Sequence, residues 1–359
     1  MTIDPRFPEF WPIPATDYET EALAFCQNWL RGQSTFILHT SGSTGTPKPI
    51  SLTRDQMKAS ALLTARTLGL MPGDRALVCL NIRYVAGVMM LVRGMEVGMV
   101  MTIVEPSGNP LAAFSSTSTS FDFTALVPLQ LQTILETTPD RLLILNRMKA
   151  ILVGGAATSP GLEQLCQQIE APVYATYGMT ETVSHIALRR LNGAGKSAFF
   201  TALDGVELGI DERGCLHITS AATNFECVQT NDVVELLTDR QPIQFRLVGR
   251  ADTVINSGGV KIQPEQIEQI SLETLVALNP ETTLPRLFVS GLPDQRLGQK
   301  IVLVVERELI SEEQFMFIQH NVREQFGNYA VPKEMIAVPT FIETPTGKID
   351  RNATIAQIR

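Results

Sequence analysis

With 359 residues, 44% apolar and 18% charged side chains and a net charge of −8, the chain can build a substantial core and two or three domains. The acidic balance excludes a general binder of nucleic acid or of an anionic membrane, so any anionic ligand needs a local site. Cys26, Cys79, Cys166, Cys215 and Cys227 are scattered, with no Cys-x-x-Cys pair, and the four histidines are dispersed; this argues against a disulfide framework or structural zinc and for a reducing cytoplasm.

Residues 1–14 are acidic, aromatic and proline-broken, without the apolar stretch of a signal peptide. A helix is predicted over 19–30, with Leu23, Cys26 and Leu30 on one face. A buried strand over 35–38 then leads into Thr40-Ser41-Gly42-Ser43-Thr44-Gly45-Thr46-Pro47-Lys48. Gly42 and Gly45 let amide N–H groups turn toward an anion, the hydroxyls add donors, and Lys48 adds a mobile charge. Pro47 and Pro49 flank the lysine, so this is not a Walker A loop, which needs glycine before its lysine and a helix after it. A loop folding over polyphosphate and a plain Ser/Gly-rich surface turn both fit the string.

A helix over 54–68 follows, spaced by Met57, Ala61 and Leu68. Then come a strand over 75–80, a helix over 85–97, a strand over 100–104, a helix over 128–135 and a strand over 150–153. A helix capped by Ser159-Pro160 and a strand over 172–176 complete the series. The most hydrophobic region, 85–104, is interrupted by Arg93 and Glu96 and is not predicted to enter a membrane. Its methionines read as core filler. The alternation predicts an α/β fold: a large layered N-terminal domain on a mostly parallel sheet. Short strands over 215–219 and 233–237 predict a small antiparallel subdomain. Strands over 287–290, 300–306 and 334–338 and a helix over 312–326 predict a compact, mobile α+β C-terminal domain. The division is placed at 1–249 and 250–359.

The strings with chemical content follow the same order. Gly154-Gly155-Ala156-Ala157 is a glycine turn after a strand, and Tyr177-Gly178-Met179-Thr180-Glu181 ends the next one. Ligands bind at strand ends of parallel sheets, a glycine there admits close approach, and a carboxylate can hold a metal bridging phosphates. Thr230-Asn231-Asp232 reads as a turn in which Asn231 tolerates left-handed angles, or as an Asx turn before a strand. Arg246-Leu247-Val248-Gly249-Arg250-Ala251-Asp252 continues through Ser257-Gly258-Gly259 to Pro264-Glu265-Gln266-Ile267-Glu268. Gly291-Leu292-Pro293-Asp294 with Gly298 reads as a structural turn. Thr344-Pro345-Thr346-Gly347-Lys348-Ile349-Asp350-Arg351 lies near the end.

Together and in this order, these strings resemble the motifs of the adenylate-forming superfamily of acyl-CoA synthetases, adenylation domains and luciferases. Its usual Thr/Ser-Gly-Asp stands here as Thr230-Asn231-Asp232. The resemblance implies ATP, Mg²⁺ and coenzyme A as cofactors and a small-molecule carboxylic acid as substrate. Thr40, Ser41, Gly42, Ser43, Thr44, Gly45 and Lys48 would cradle the phosphates, with Thr180 beside them and Glu181 on Mg²⁺. Tyr177 would pack on adenine, next to Gly154, Gly155, Ala156 and Gly178. Asp232 would accept from both ribose hydroxyls, and Arg250 would touch the ribose. Asp252 would be the hinge; Ser257, Gly258 and Gly259 would line the thiol's path; Lys348 would pair with the α-phosphate and the attacking carboxylate.

Within the superfamily the chain is most similar to the short bacterial o-succinylbenzoate–CoA ligases of menaquinone synthesis. Members usually carry a longer lead-in before the phosphate loop, so the shortened one is expected to leave the acyl pocket more open or to need a partner to close it. For the acid, Arg83 is a candidate to bind a second carboxylate, with Tyr84 and His185 beside it; a surface arginine and a structural histidine are the plainer readings. Ligation of another aryl or fatty acid, loading of a carrier protein and an inactive nucleotide-binding scaffold remain open alternatives. A homo-oligomer is compatible with the sequence.

Overall fold

Wholly buried apolar strands build the centre. Ala76, Leu77 and Val78 in Arg75–Val78, and every residue of Phe123–Leu126 and Ala150–Val153, are shut off from solvent. Strands covered on both faces belong in a parallel sheet flanked by helices. In this computed structural model, which describes residues 1–39, 49–279, 284–307, 310–344 and 349–358, they run parallel with Val100–Ile103 on one side and Val173–Gly178 on the other. Phe123–Leu126 was not among the predicted strands, although it lies in the middle of the parallel set. At four residues, just after the Ser/Thr tract, it is too short to show a period.

The predicted antiparallel subdomain does not stand apart. His185–Arg190 folds back beside Val173–Gly178, and Phe200–Ala202, Gln244–Arg250, Val228–Leu237, Cys215–Thr219 and Glu207–Ile210 continue the same twelve-stranded sheet. The strand Thr35–His39 is a second departure. It pairs only with Pro49–Thr53 in a separate hairpin; Phe36 and Leu38 point inward, while Ile37 is 68% exposed. The segment joining those two strands is the proposed phosphate loop. Thr40, Ser41, Gly42, Ser43, Thr44, Gly45 and Lys48 therefore lie outside the described residues, as does Lys348.

Helices form where the caps allow. Arg54–Leu68 starts on a reciprocal Thr53/Gln56 capping box and stops at Gly69, whose φ of 64° favours a residue without a side chain. Val85–Val97 ends the same way at Gly98. In Asp17–Leu30 the buried face is Ala22, Leu23, Cys26 and Trp29; Leu30, expected inside, is half exposed. Trp29 takes the core position because its indole also donates to Glu96 at 2.8 Å.

The large sheet ends at Arg250, and a five-stranded sheet begins at Ile255. Apolar clusters lie on both of its faces, one beneath helices Pro264–Leu278 and Glu312–Phe326, the other beneath the C-terminal helix Arg351–Ala356. The five cysteines are unpaired. Among the described residues no helix is long and apolar enough to cross a membrane.

Candidate active site

The segment from Tyr177 to His185 is a tight reversal. A Cβ on Gly178 would stand 2.2 Å from the carbonyl oxygen of Ser184 and 2.6 Å from Cα of His185. The close approach that this glycine permits is thus the chain's own return, not a substrate's. A single 3₁₀ turn, Thr180–Thr182, buries Thr180 and exposes Glu181. Val183 follows at φ 65°, and Ser184 donates its N–H to the Thr182 carbonyl at 2.7 Å. A β-branched residue in this γ-turn costs about 1–3 kcal/mol. Complete burial of Val183 against the cluster of Phe36, Met57 and Val88 offsets it.

Three distant strings meet beside this turn. The Tyr177 hydroxyl donates to Asp232 Oδ2 at 2.7 Å, and burial together with the nearby carboxylate pushes its pKa far above the usual phenol value. Its ring rests on Phe200 and Phe245 and is 7% exposed, which leaves little open face for a base. Asp232 Oδ1 accepts from Arg250 Nη1 at 2.8 Å. Arg250 also grips Asp252 with a fork, Nε to Oδ1 at 2.9 Å and Nη2 to Oδ2 at 2.8 Å. That grip holds the Asp252 carboxyl below its ordinary range and the guanidinium above its own. Asn231 does not make the left-handed turn: it lies inside strand Val228–Leu237, its carbonyl accepts from Ala251, and its side chain supports Asp252. Gly154 meets Thr176 closely enough to exclude any Cβ, and Gly155 sits at φ 89°. Gly155 and Ala156 are exposed at the same end of the sheet.

The residues proposed for the acid separate. Arg83 is exposed and pairs with Glu21, which is also exposed, at 2.8 Å, an ion pair of the kind that contributes little. Tyr84 is half-buried and begins helix Val85–Val97. His185 is buried between Thr64 Oγ1 at 3.2 Å and Ser184 Oγ at 3.3 Å. Burial, reinforced by Arg93, depresses its pKa well below the usual value. It is therefore a neutral hydrogen-bonding residue.

Arg93, read from sequence only as an interruption of the apolar run, is the residue that reading missed. It is 2% exposed, its Nη2 donates to Ser184 Oγ, and its Nη1 approaches Met90 Sδ at 3.9 Å. Among the described residues its Nε has no partner and no carboxylate forms an ion pair with it. Burial alone lowers its pKa to about 10. An enclosed cation without a counter-ion is costly to keep buried. The signal was present in the sequence: an arginine in a helix apolar on all sides must be buried.

In the five-stranded sheet, Gly258 and Gly259, at φ 58° and 83°, form a two-residue hairpin between Ile255–Ser257 and Val260–Ile262. A Cβ on Gly258 would collide with the Tyr329 ring at 2.3 Å. Ser257 is buried, and among the described residues its hydroxyl has no partner. Among the described residues no group of three or more His, Cys, Asp or Glu could hold a metal. The single exposed carboxylate of Glu181 suits an ion whose remaining ligands are phosphate oxygens and water.

The sequence profile of the family described as AMP-binding enzyme matches residues 12–208. A 2-succinylbenzoate–CoA ligase of Listeria monocytogenes is 26% identical over 358 residues, spanning 95% of this chain and 73% of its own length. The crystal structure of an acyl-CoA synthetase (AMP-forming)/AMP-acid ligase II-like protein from Dyadobacter fermentans is 44% identical, with a TM-score of 0.67, and covers 100% of this chain and 99% of its own. An o-succinylbenzoate coenzyme A synthetase of Bacillus subtilis, in complex with ATP and magnesium ion, shares the fold with a TM-score of 0.71. It is 21% identical over 89% of this chain and 69% of its own.

Proposed function

Because the chain belongs to the AMP-binding enzyme family, we propose that it is an ATP-dependent acid–thiol ligase. It adenylates o-succinylbenzoate and transfers the acyl group to coenzyme A, a step of menaquinone biosynthesis, in the cytoplasm. The observation that carries this reading is the hydrogen-bonded chain Tyr177–Asp232–Arg250–Asp252, which joins three strings separated by up to 75 positions at the end of one sheet. The 26% identity to a 2-succinylbenzoate–CoA ligase supports the choice of acid, and so does the unpaired cation of Arg93.

A carboxylate is a poor acyl donor because oxide is a poor leaving group. Attack of a carboxylate oxygen on the α-phosphorus of ATP expels pyrophosphate and leaves acyl-AMP, whose leaving group is AMP. The thiol of coenzyme A then attacks the acyl carbon, giving thioester, AMP and a proton. Such chemistry is mostly positioning and charge neutralisation. Mg²⁺ held through Glu181 supplies part of that neutralisation. Lys48, the amides between Thr40 and Gly45, Thr180 and Lys348 supply the rest. Asp232 shares its carboxylate between Arg250 and the ribose hydroxyls, and Arg93 takes the acid's second carboxylate. Rotation at Asp252 then withdraws Lys348 and brings Ser257-Gly258-Gly259 to the acyl-AMP.

A panel assay tests the reading. Thioester formation with ATP and coenzyme A should be fastest for o-succinylbenzoate and weak for benzoate and fatty acids. A preference for a fatty acid, or for a carrier-protein thiol, would replace the proposed acid or acceptor.

A further inference from the structure

We propose that His185 is a specificity-determining positioning residue: through Ser184 it sets the direction of the Arg93 guanidinium, and with it the preference for an acid that carries a second carboxylate. The proposal rests on the acid-binding role given to Arg93 above and extends it to the side chains behind the arginine. Arg93 leaves helix Val85–Val97 with few anchors. Its Nη2 donates to Ser184 Oγ, its Nη1 lies 3.9 Å from Met90 Sδ, and its Nε has no partner among the described residues. A thioether is a weak acceptor, so among those residues the Ser184 hydroxyl is the main hold on the guanidinium. Ser184 is itself pinned through its backbone. Its N–H donates to the Thr182 carbonyl at 2.7 Å, and its carbonyl accepts from Thr182 Oγ1 at 2.8 Å. The backbone thus places the serine oxygen, and what is left to fix is the hydroxyl rotor.

The protons along this line can be assigned one by one. The Thr64 hydroxyl donates to the Ser60 carbonyl at 3.0 Å. That uses its single hydrogen, so toward His185 Nε2, 3.2 Å away, it is an acceptor. Burial, and next the charge of Arg93, keep the imidazole neutral. A neutral ring with its hydrogen on Nε2 presents a bare Nδ1. This nitrogen, 3.3 Å from Ser184 Oγ, takes the serine hydrogen and leaves the oxygen's lone pairs to Arg93. The opposite tautomer fails on two counts. A hydrogen on Nδ1 would leave that of the Ser184 hydroxyl without an acceptor among the described residues. It would also make Nε2 compete for the Thr64 hydrogen already given to Ser60. The line runs from helix Arg54–Leu68 through the first residue of strand His185–Arg190 to helix Val85–Val97. Side chains tied to regular elements hold a group more precisely than side chains on loops.

The test measures kcat/KM for o-succinylbenzoate and for benzoate in thioester formation. It compares His185→Leu, His185→Asn, Ser184→Ala, Arg93→Met and the double variant Arg93→Met/His185→Leu with the wild-type chain. His185→Leu should lower the ratio of the two values by about 3- to 10-fold, the range of a neutral hydrogen bond. Ser184→Ala, a smaller change to the packing, should lower it by at least as much. His185→Asn, whose side-chain oxygen replaces the lost acceptor, should recover part of the ratio. In the double variant the ratio should match that of Arg93→Met, because His185 has nothing left to orient. A loss shared equally by both acids, with the ratio unchanged, would show a merely structural histidine and overturn the proposal, as would losses that multiply in the double variant. A wild-type ratio in Arg93→Met would remove the arginine's role in binding the acid and the proposal with it. A ratio lowered in Arg93→Met but not in His185→Leu or Ser184→Ala would leave that role standing and overturn the proposal alone.

Discussion

Arg83 and Arg93 differ mainly in their surroundings. Arg83 is exposed and tied to Glu21; Arg93 is enclosed and lacks a counter-ion among the described residues. Charged hydrogen bonds contribute about 1.5–3 kcal/mol, so Arg93→Met should raise KM for o-succinylbenzoate by roughly 10- to 10²-fold. The same change should leave a monocarboxylate such as benzoate unaffected. Arg83→Ala should change neither constant. Steady-state kinetics with both acids checks this, and an unchanged KM for o-succinylbenzoate in Arg93→Met would remove Arg93 from the acid's pocket. The sequence shows an arginine at both positions, and only burial separates them. Tyr177, Asp232 and Arg250 were legible as separate strings, but their hydrogen bonds to one another were not. Gly178 was legible as obligatory, yet for another reason: it makes room for Ser184 and His185 rather than for a ligand.

Among the elements, the helices over 54–68 and 312–326 were readable because a Thr/Gln box or a Ser cap opens them and glycine ends them, while the helix over 85–97, with no side-chain cap at Tyr84, is marked by glycine at its end alone. Strand Phe123–Leu126 lacked such punctuation, and the continuation of the sheet into its antiparallel half depends on pairings that no local pattern encodes. Helix Pro264–Leu278 carries a titration that can be measured. Burial of Glu268 outweighs the pull of Arg351 and raises its pKa from 4.5 to about 7. The folded state therefore holds this proton more tightly than the unfolded chain. The resulting stabilisation is complete below pH 4.5 and is lost as pH rises through about 7. Relative to Glu268→Gln, the wild-type protein should lose on the order of 3 kcal/mol over that interval. Urea denaturation at a series of pH values checks it; parallel curves for the two proteins would contradict the shift.

Over the whole molecule, Arg250 ends strand Gln244–Arg250 and grips Asp252, two positions on, before the second sheet begins at Ile255. The two sheets are thus joined at a charged fork, with the Asp232 carboxylate on one side and the Glu265–Arg351 contact on the other. This arrangement makes sense of a single site that performs two reactions in succession, one with the phosphates of ATP and one with a thiol. The most direct measurement is pyrophosphate release by the wild-type chain, with ATP alone, with o-succinylbenzoate added, and with coenzyme A added to both. Release should depend on the acid, and coenzyme A should convert the bound acyl-AMP into thioester with one AMP for each pyrophosphate. Release indifferent to any acid, or cleavage of ATP to ADP and phosphate, would contradict the adenylating ligase.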